Sequence, residues 1–561
     1  DGQGLLPVVT FRGDEGTTCV LSGFTLRNGL GRPVQFILMY ETIIEYWGAG
    51  ILGNFTDAYV EYCIIRENSG HDALAAWRAG NLAYNTIRDN IVLPPGGSMS
   101  FGSASSLYSC VGDIGYNLIR GRGDARGYGI DNCAFNLHHN LIMYCRSGIG
   151  GNSYGIVEGN IVIENSYSGI GTIDDYFNTP ARISGNFVML NQMGPGINSS
   201  DVPVFNNIIC FNNLGGYNSY GGGIYNCDGP IMHNVVAFNH ASMYAGGMFG
   251  FQGEIIDNIM WGNTAGWDDA QIIGSTTPTF CIIEGSTHGD DTNSTATPLF
   301  SNPWALDFRL LPGSPGIDGG TSAGMTVDFI GNARPQDGEG LGAGSTGDGL
   351  DFDIGPYETT PSDRIAAMRG YILGRPTTDS LTGSPWLAEW PEEWIAELQA
   401  IELPTTAVAM LTSYSLQAGA VSTTASLDVN NDGRLDIADI VLAITGQTSS
   451  TAALDAKNRT EGILPSAVVS HGIEPKLTAE SRQYDAGRSG EDARSTNDAA
   501  QRYPTRWRPP VAKLMPKRRP FPMESYRSRY GKYAEAIWKL DNTKHSGNGP
   551  IIVDLREYEN Q

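Results

Sequence analysis

Charge is scarce in this 561-residue chain: only 17% of its residues are Asp, Glu, Lys or Arg, low for a globular enzyme. The balance leans acidic, to a net charge of −24, and a body of that sign is a poor nucleic-acid binder, because a phosphate backbone needs a basic surface. Long apolar runs are also missing; none approaches the ~18 residues of a membrane span. No signal peptide is visible, and "LLPVVTF" near the start reads as a strand, so the sequence is read as a processed or truncated chain. No CxxC pair occurs among Cys19, Cys63, Cys110, Cys133, Cys145, Cys210, Cys227 and Cys281, which argues against a zinc site or a thioredoxin-like motif. Most of these cysteines lie inside apolar, strand-like runs. Buried apolar thiols are the expectation and disulfides the alternative.

What the chain has in excess is glycine: 72 residues, without a strict three-residue period. That points to many turns and a repetitive β architecture. One short pattern recurs, as "GNIVIEN" (Gly159–Asn165), "GNFVMLN" (Gly185–Asn191), "NNIICFN" (Asn206–Asn212), "HNVVAFN" (His233–Asn239) and "DNIMWGN" (Asp257–Asn263). Weaker copies are "YCIIREN", "YNTIRDN", "YNLIRGR", "HNLIMYC" and "FCIIEGS". Nine steps separate Cys63 from Cys281, so each repeat takes about 24 residues, inside the range of solenoid periods. The second residue of each copy aligns as Cys63, Asn85, Asn117, Asn140, Asn160, Asn186, Asn207, Asn234, Asn258 and Cys281, and the residue five later is usually Asn again.

A short apolar strand bounded by Asn suits one rung of a parallel β-helix. Asn tolerates the left-handed backbone of a corner, and its amide can bond the Asn of the next rung. Gly-led strands such as "GAGILGN", "GYGIDNC" and "GGGIYNC" run between the copies, where glycine permits sharp corners and close coil packing. The Asn columns could instead present a polar face to sugars. Inward or corner ladders explain them without a ligand.

The texture "GGGIYNC…N-x-[IV]-x-x-N" resembles bacterial secreted right-handed parallel β-helix repeat proteins, with similarity to polymorphic outer-membrane proteins. The segment "PLFSNPWALDFRLLPGSPGIDGGT…DFIGNARPQ…DFDIGPYE" is similar to the block that closes such β-helices. The resemblance implies an all-β right-handed solenoid over residues 1–297, a closing block over 298–358, and an extracellular or cell-surface address in a bacterium. It implies no reaction, because β-helices host lyases, hydrolases, adhesins and spacers alike.

Catalytic motifs are thin. Pectin hydrolases of this fold need N-T-D and G-H-G segments, and neither is present. The acidic pairs at Asp174–Asp175, Asp268–Asp269 and His288–Asp291 read as solvated turns, and "ARIS" at Ala181–Ser184 stands alone. His139, His233 and Asp257 fall in one column just before the key Asn, and a column is not a cleft. No catalytic residue is assigned.

The sharpest local signal is "LDVNNDGRLDIADIVLAITG". Asp428, Asn430, Asp432, Asp436 and Asp439 occupy positions 1, 3, 5, 9 and 12 of an EF-hand loop, with Gly433 at the turn and the Arg434 carbonyl at position 7. The set predicts one Ca2+. Asp at position 12 and a helix on one side only resemble a dockerin repeat. A faint partner lies at "TTPSDRIAAMRGYILGRP", which makes 359–446 a split dockerin-like module and a cohesin-like scaffold a conceivable partner. Trp386, Trp390 and Trp394 are expected in its core.

Residues 447–500 are polar and read as a linker. From Gln501 to Gln561 there are 13 Lys and Arg against 6 Asp and Glu, a net +7, so the rest of the chain carries −31. Such like-charge blocks mark interaction tails. The terminal "PIIVDLREY" alternates enough to add as a strand to an exposed sheet edge, and a neighbouring copy is the expected acceptor. The reading favoured is a non-catalytic extracellular structural protein: rod, calcium joint and self-assembling tail. The alternatives are a polysaccharide-binding or polysaccharide-degrading protein (a lyase or glycoside hydrolase), and an adhesin.

Overall fold

The computed structural model describes residues 1–94, 104–123, 127–151, 153–174, 181–217, 219–267, 270–274, 276–303, 306–311, 314–336, 352–359, 394, 404–417, 523–543 and 549–559. Short strands stack into a parallel β-solenoid with three faces. The first face runs from Val9–Thr10 to Ile272–Ile273, the second from Val20–Ser22 to Ile255–Ile256, the third from Thr25–Arg27 to Ile282–Ile283. The second and third are continuous 11-stranded sheets. The first is joined at its middle by single bridges through Ile170.

Alternation along each strand decides what lies inside. Of "IVI", "FVM" and "IIC", only the middle residues Val162, Val188 and Ile209 join the axial core, beside Ile149, Ile170, Val157 and Ile183. The flanking residues Ile161, Ile163, Phe187, Met189, Ile208 and Cys210 point outward and are covered from outside. All three residues of each run are apolar, but the period of two of a strand sends only the middle one to the axis. All eight cysteines are free thiols, and all but Cys19 are buried.

The Asn columns are internal ladders. The backbone N–H and Nδ2 of Asn160 both donate to Oδ1 of Asn186, at 2.9 and 3.0 Å, and Nδ2 also donates to the Leu137 carbonyl at 2.8 Å. The same geometry repeats at Asn85, Asn117, Asn140, Asn186, Asn207 and Asn234. A second ladder runs through Asn165, Asn191, Asn212, Asn239 and Asn263. These amides are buried and satisfied, as buried polar groups must be. They offer no face to a sugar.

The residue before each first-ladder position turns the corner with φ between 51 and 64°: Tyr62, Tyr84, Tyr116, His139, Gly159, Gly185, Asn206, His233, Asp257 and Phe280. In the early coils their rings stack, Tyr62 on Tyr84 at 5.0 Å, Tyr84 on Tyr116 and Tyr116 on His139 at 4.9 Å. Ring stacking of this kind contributes about 0.5–1.5 kcal/mol per pair and offsets the strain of a left-handed tyrosine.

Outside the third face, Arg27, Arg66, Arg88 and Arg120 stand in register on successive coils, and Met143, Ile163, Met189, Cys210, Ala237 and Trp261 continue the column. The apolar half is the part that is covered. Phe300, Leu306, Phe308, Leu310, Ile317, Ile354 and Tyr357 of the closing segment pack there, with Ala407, Leu411 and Tyr414 of the helix Thr405–Gln417. Those helix positions, four and three residues apart, form one stripe. Tyr414 Oη accepts the Phe300 N–H at 2.7 Å. Trp394 is buried against the same face, its Nε1 donating to Thr86 Oγ1 at 3.4 Å. Trp386 and Trp390 lie outside the described residues. Among the described residues no helix is long and apolar enough to cross a membrane.

Candidate functional site: the outer column of the first face

The predicted calcium ligands Asp428, Asn430, Asp432, Arg434, Asp436 and Asp439 all lie outside the described residues, as do Asp175 and Asp268–Asp269. Asp174 is half-buried, and burial with Asp201 nearby pushes its carboxyl up to about 6. His288–Asp291 is a surface turn in which Asp290 Oδ1 accepts the Thr292 N–H at 2.8 Å. Arg182 of "ARIS" pairs with Glu158 on the preceding coil. Asp174, Arg182 and His288–Asp291, the described members of these sets, do not come together.

The column of His139, His233 and Asp257 divides into two environments. His139 ends the aromatic stack; its Nδ1 is 2.9 Å from His138 Nδ1, and His138 Nε2 is 3.0 Å from Asp113 Oδ1. Burial and then the His138 charge hold the His139 imidazole down at about 3. His233 and Asp257 instead face the closing segment, where His233 Nδ1 meets the Arg334 guanidinium at 2.8 Å. Arg334 also donates to the carbonyls of Asp353 and Gly355 and lies 3.4 Å from Glu358. This is a buried structural lock.

The first face carries the larger surface feature. Its inward residues are aliphatic, and its outward residues form one column in register: Leu52, Trp77, Tyr108, Asp131, Gly150, then Asn198, Tyr225, Phe249 and Ile273. The C-terminal segment covers the first half. The strand Ile551–Asp554 pairs in parallel with Arg32–Ile37, the near strand of a hairpin completed by Thr42–Trp47. The helices Met523–Tyr530 and Ala534–Asn542 pack Tyr526, Ile537 and Leu540 against Trp47, Trp77 and Tyr108. The strand addition expected of "PIIVDLREY" therefore occurs, and the edge it joins belongs to its own chain.

Ionic contacts fix this docking. Arg529 makes paired hydrogen bonds to Asp131 at 3.0 and 2.7 Å. Arg78 and Asp541, both fully buried, stand 3.5 Å apart. Asp541 also accepts from Tyr108 Oη at 2.8 Å and Tyr526 Oη at 3.0 Å. Burial pushes the Arg78 guanidinium down to about 10 and the Asp541 carboxyl up.

Among the described residues, no segment covers the second half of the column. Tyr225 and Phe249 stack at 6.0 Å, Tyr220 lies 5.1 Å from Phe249 and 5.7 Å from Tyr244, and Trp267 meets Tyr244 edge-on at 5.6 Å. Trp267 is 66% and Tyr217 85% exposed. Sequence reasoning missed both halves. The usable signal was the residue after each inward aliphatic of the Gly-led strands, aromatic in "AAW", "SLY", "GIY" and "GMF". Compared with protein-family models, curated proteins and solved structures, the chain matches none.

Proposed function

We propose that this protein is a non-catalytic extracellular structural element, a rigid solenoid rod with a calcium-stabilised joint and a basic stretch that contacts neighbouring copies. The observation that carries the reading is the docked C-terminal segment. It consumes the neutral part of the tail: residues 523–561 hold 6 Lys and Arg against 6 Asp and Glu. The whole surplus of the tail lies in 501–522, with 7 Lys and Arg and no acid, immediately before the docked helix. Docking fixes that basic stretch to a body carrying −31, and a second body of the same charge is a complementary surface for it. At ~0.15 M salt such attraction acts over only about 8 Å, so the contact must be direct and salt-sensitive. A contact from one copy's tail to the next copy's body does not close on itself and builds filaments. Removing residues 501–522 while keeping the docked segment should leave a folded monomer that no longer assembles, in sedimentation velocity and electron microscopy. Assembly equal to that of the full chain would remove the role.

The joint is the EF-hand-like loop. Asp428, Asn430, Asp432, Asp436, Asp439 and the Arg434 carbonyl supply only oxygen ligands, the hard donors that Ca2+ selects, and four carboxylates at one point repel unless a cation neutralises them. Titration calorimetry should show uptake of one Ca2+ that Asp428→Ala abolishes. No uptake, or uptake unchanged by that substitution, overturns the site.

A further inference from the structure

The open half of the first face has a different chemistry from the docked half, and we infer that it binds an uncharged polysaccharide chain lying along the solenoid axis. Its floor is aromatic: Tyr220, Tyr225, Tyr244 and Phe249 are half-buried, with Trp267 rising from the surface. Contiguous exposed apolar patches are uncommon on soluble proteins and mark binding sites. Trp267 stands at 87° to Tyr244, so the two rings form an inside corner rather than a flat sheet.

The rim selects the ligand. Asn198 and Ser199 border Tyr225 on one side, with Ser199 Oγ donating to Asn198 Oδ1 at 2.7 Å. Ser219 and Ser242 lie on the other side, their hydroxyls 3.2 Å apart. Amides and hydroxyls around aromatic rings suit a molecule with an apolar ring face and many hydroxyls, which describes a pyranose. The docked half shows what a protein occupant requires here: Arg78 and Asp131 stand ready for Asp541 and Arg529. Among the described residues, the column and rim of the open half carry no Arg, Lys, Asp or Glu, so they lack the ion-pair handles of the docked half. The register supplies length. Asn198, Tyr225, Phe249 and Ile273 succeed one another on adjacent coils, so the platform spans several sugar rings along the axis.

This site is independent of the assembly reading, and the test keeps the two apart. Full-length protein is run in native gels containing xylan, galactomannan or mixed-linkage β-glucan, with polygalacturonate as the anionic comparison. Retardation on at least one neutral glycan is expected, with at least a tenfold weaker apparent affinity in Trp267→Ala and in Tyr225→Ala. Circular dichroism of both variants should match the parent, since Trp267 is exposed and Tyr225 lies outside the axial core. Protein lacking 501–522 should bind glycan as the full chain does. Retardation only on polygalacturonate, no retardation on any glycan, or variants that bind normally each overturn the site. So does loss of self-association in Trp267→Ala with no glycan binding in the parent, which would make the patch a contact between copies.

Discussion

Replacing Asp541 with alanine will release the C-terminal segment from the solenoid. Among the described residues, Asp541 alone offers a counter-charge within salt-bridge reach of Arg78, and neither side chain is exposed. Removing one member of a buried ion pair leaves the other uncompensated and costs about 3–5 kcal/mol. The remaining partners of Arg78 are the carbonyls of Thr543 and Leu540, which belong to the same segment and leave with it. The ring faces of Trp77 and Phe55, 4.1 and 5.0 Å from the guanidinium carbon, cannot replace a carboxylate. Amide exchange in Ile551–Asp554 should accelerate by roughly 100- to 4,000-fold if that penalty falls on docking. Replacing both partners, as Arg78→Met with Asp541→Leu, should restore most of the protection, because apolar substitutes for a buried pair are often neutral or stabilising. If Asp541→Ala leaves exchange unchanged, the pair does not hold the segment.

The solenoid was legible because its signal repeats. A single "NIVI" is weak, but its recurrence about every 24 residues places Asn160, Asn186, Asn207, Asn234 and Asn258 in one column from sequence alone. The structure shows that column as a hydrogen-bonded ladder. What repeats report poorly is which side of a rung faces out. Phe187 and Val188 are both buried apolar residues, yet one packs on the axis and the other under the closing segment. Composition cannot separate them; alternation can. The docking of the C-terminal segment was half legible. "PIIVDLREY" announced a strand in need of an edge, but the edge, Arg32–Ile37, lies more than 500 residues away in sequence. Arg78, Asp131 and Asp541 gave no local sign because each is a lone charge whose partner arrives only with the fold. The proposed calcium loop is the reverse case: its candidate ligands are close in sequence, so spacing alone suggests them, and they lie outside the described residues.

The lock at the other end should fail with rising pH, and Arg334→Met should mimic that failure. Burial pushes the carboxyls of Asp257 and Glu358 up to about 8 and that of Asp353 up to about 6. An acid whose folded value is raised binds more protons folded than unfolded, so its contribution is complete below ~4 and is lost as pH climbs through the folded value. His233 works the other way. Burial and then the Arg334 charge hold its imidazole well below the ordinary range, so its contribution is present above about 6.5 and is lost in acid. Three acids outweigh one base, and the net effect between about pH 4.5 and 8 is weakening with rising pH. Arg334 opposes this by sitting 3.4 Å from Glu358 and holding His233 Nδ1 and the carbonyls of Asp353 and Gly355. Its loss leaves those groups buried without their donor, a penalty of about 3–5 kcal/mol. Proteolysis and amide exchange read the result locally, which a global melting curve of a long stacked array does not. The Gly355 amide, which donates to the Asp257 carbonyl at 2.8 Å, and the Thr321 amide, which donates to its carboxylate at 3.1 Å, should exchange faster at pH 8 than at pH 5.5 after correction for intrinsic rates. In Arg334→Met they should be fast at both. Protection that rises with pH, or that survives the substitution, would mean that the apolar contacts of Phe300, Phe308 and Ile354 hold the closing segment without help from the charges.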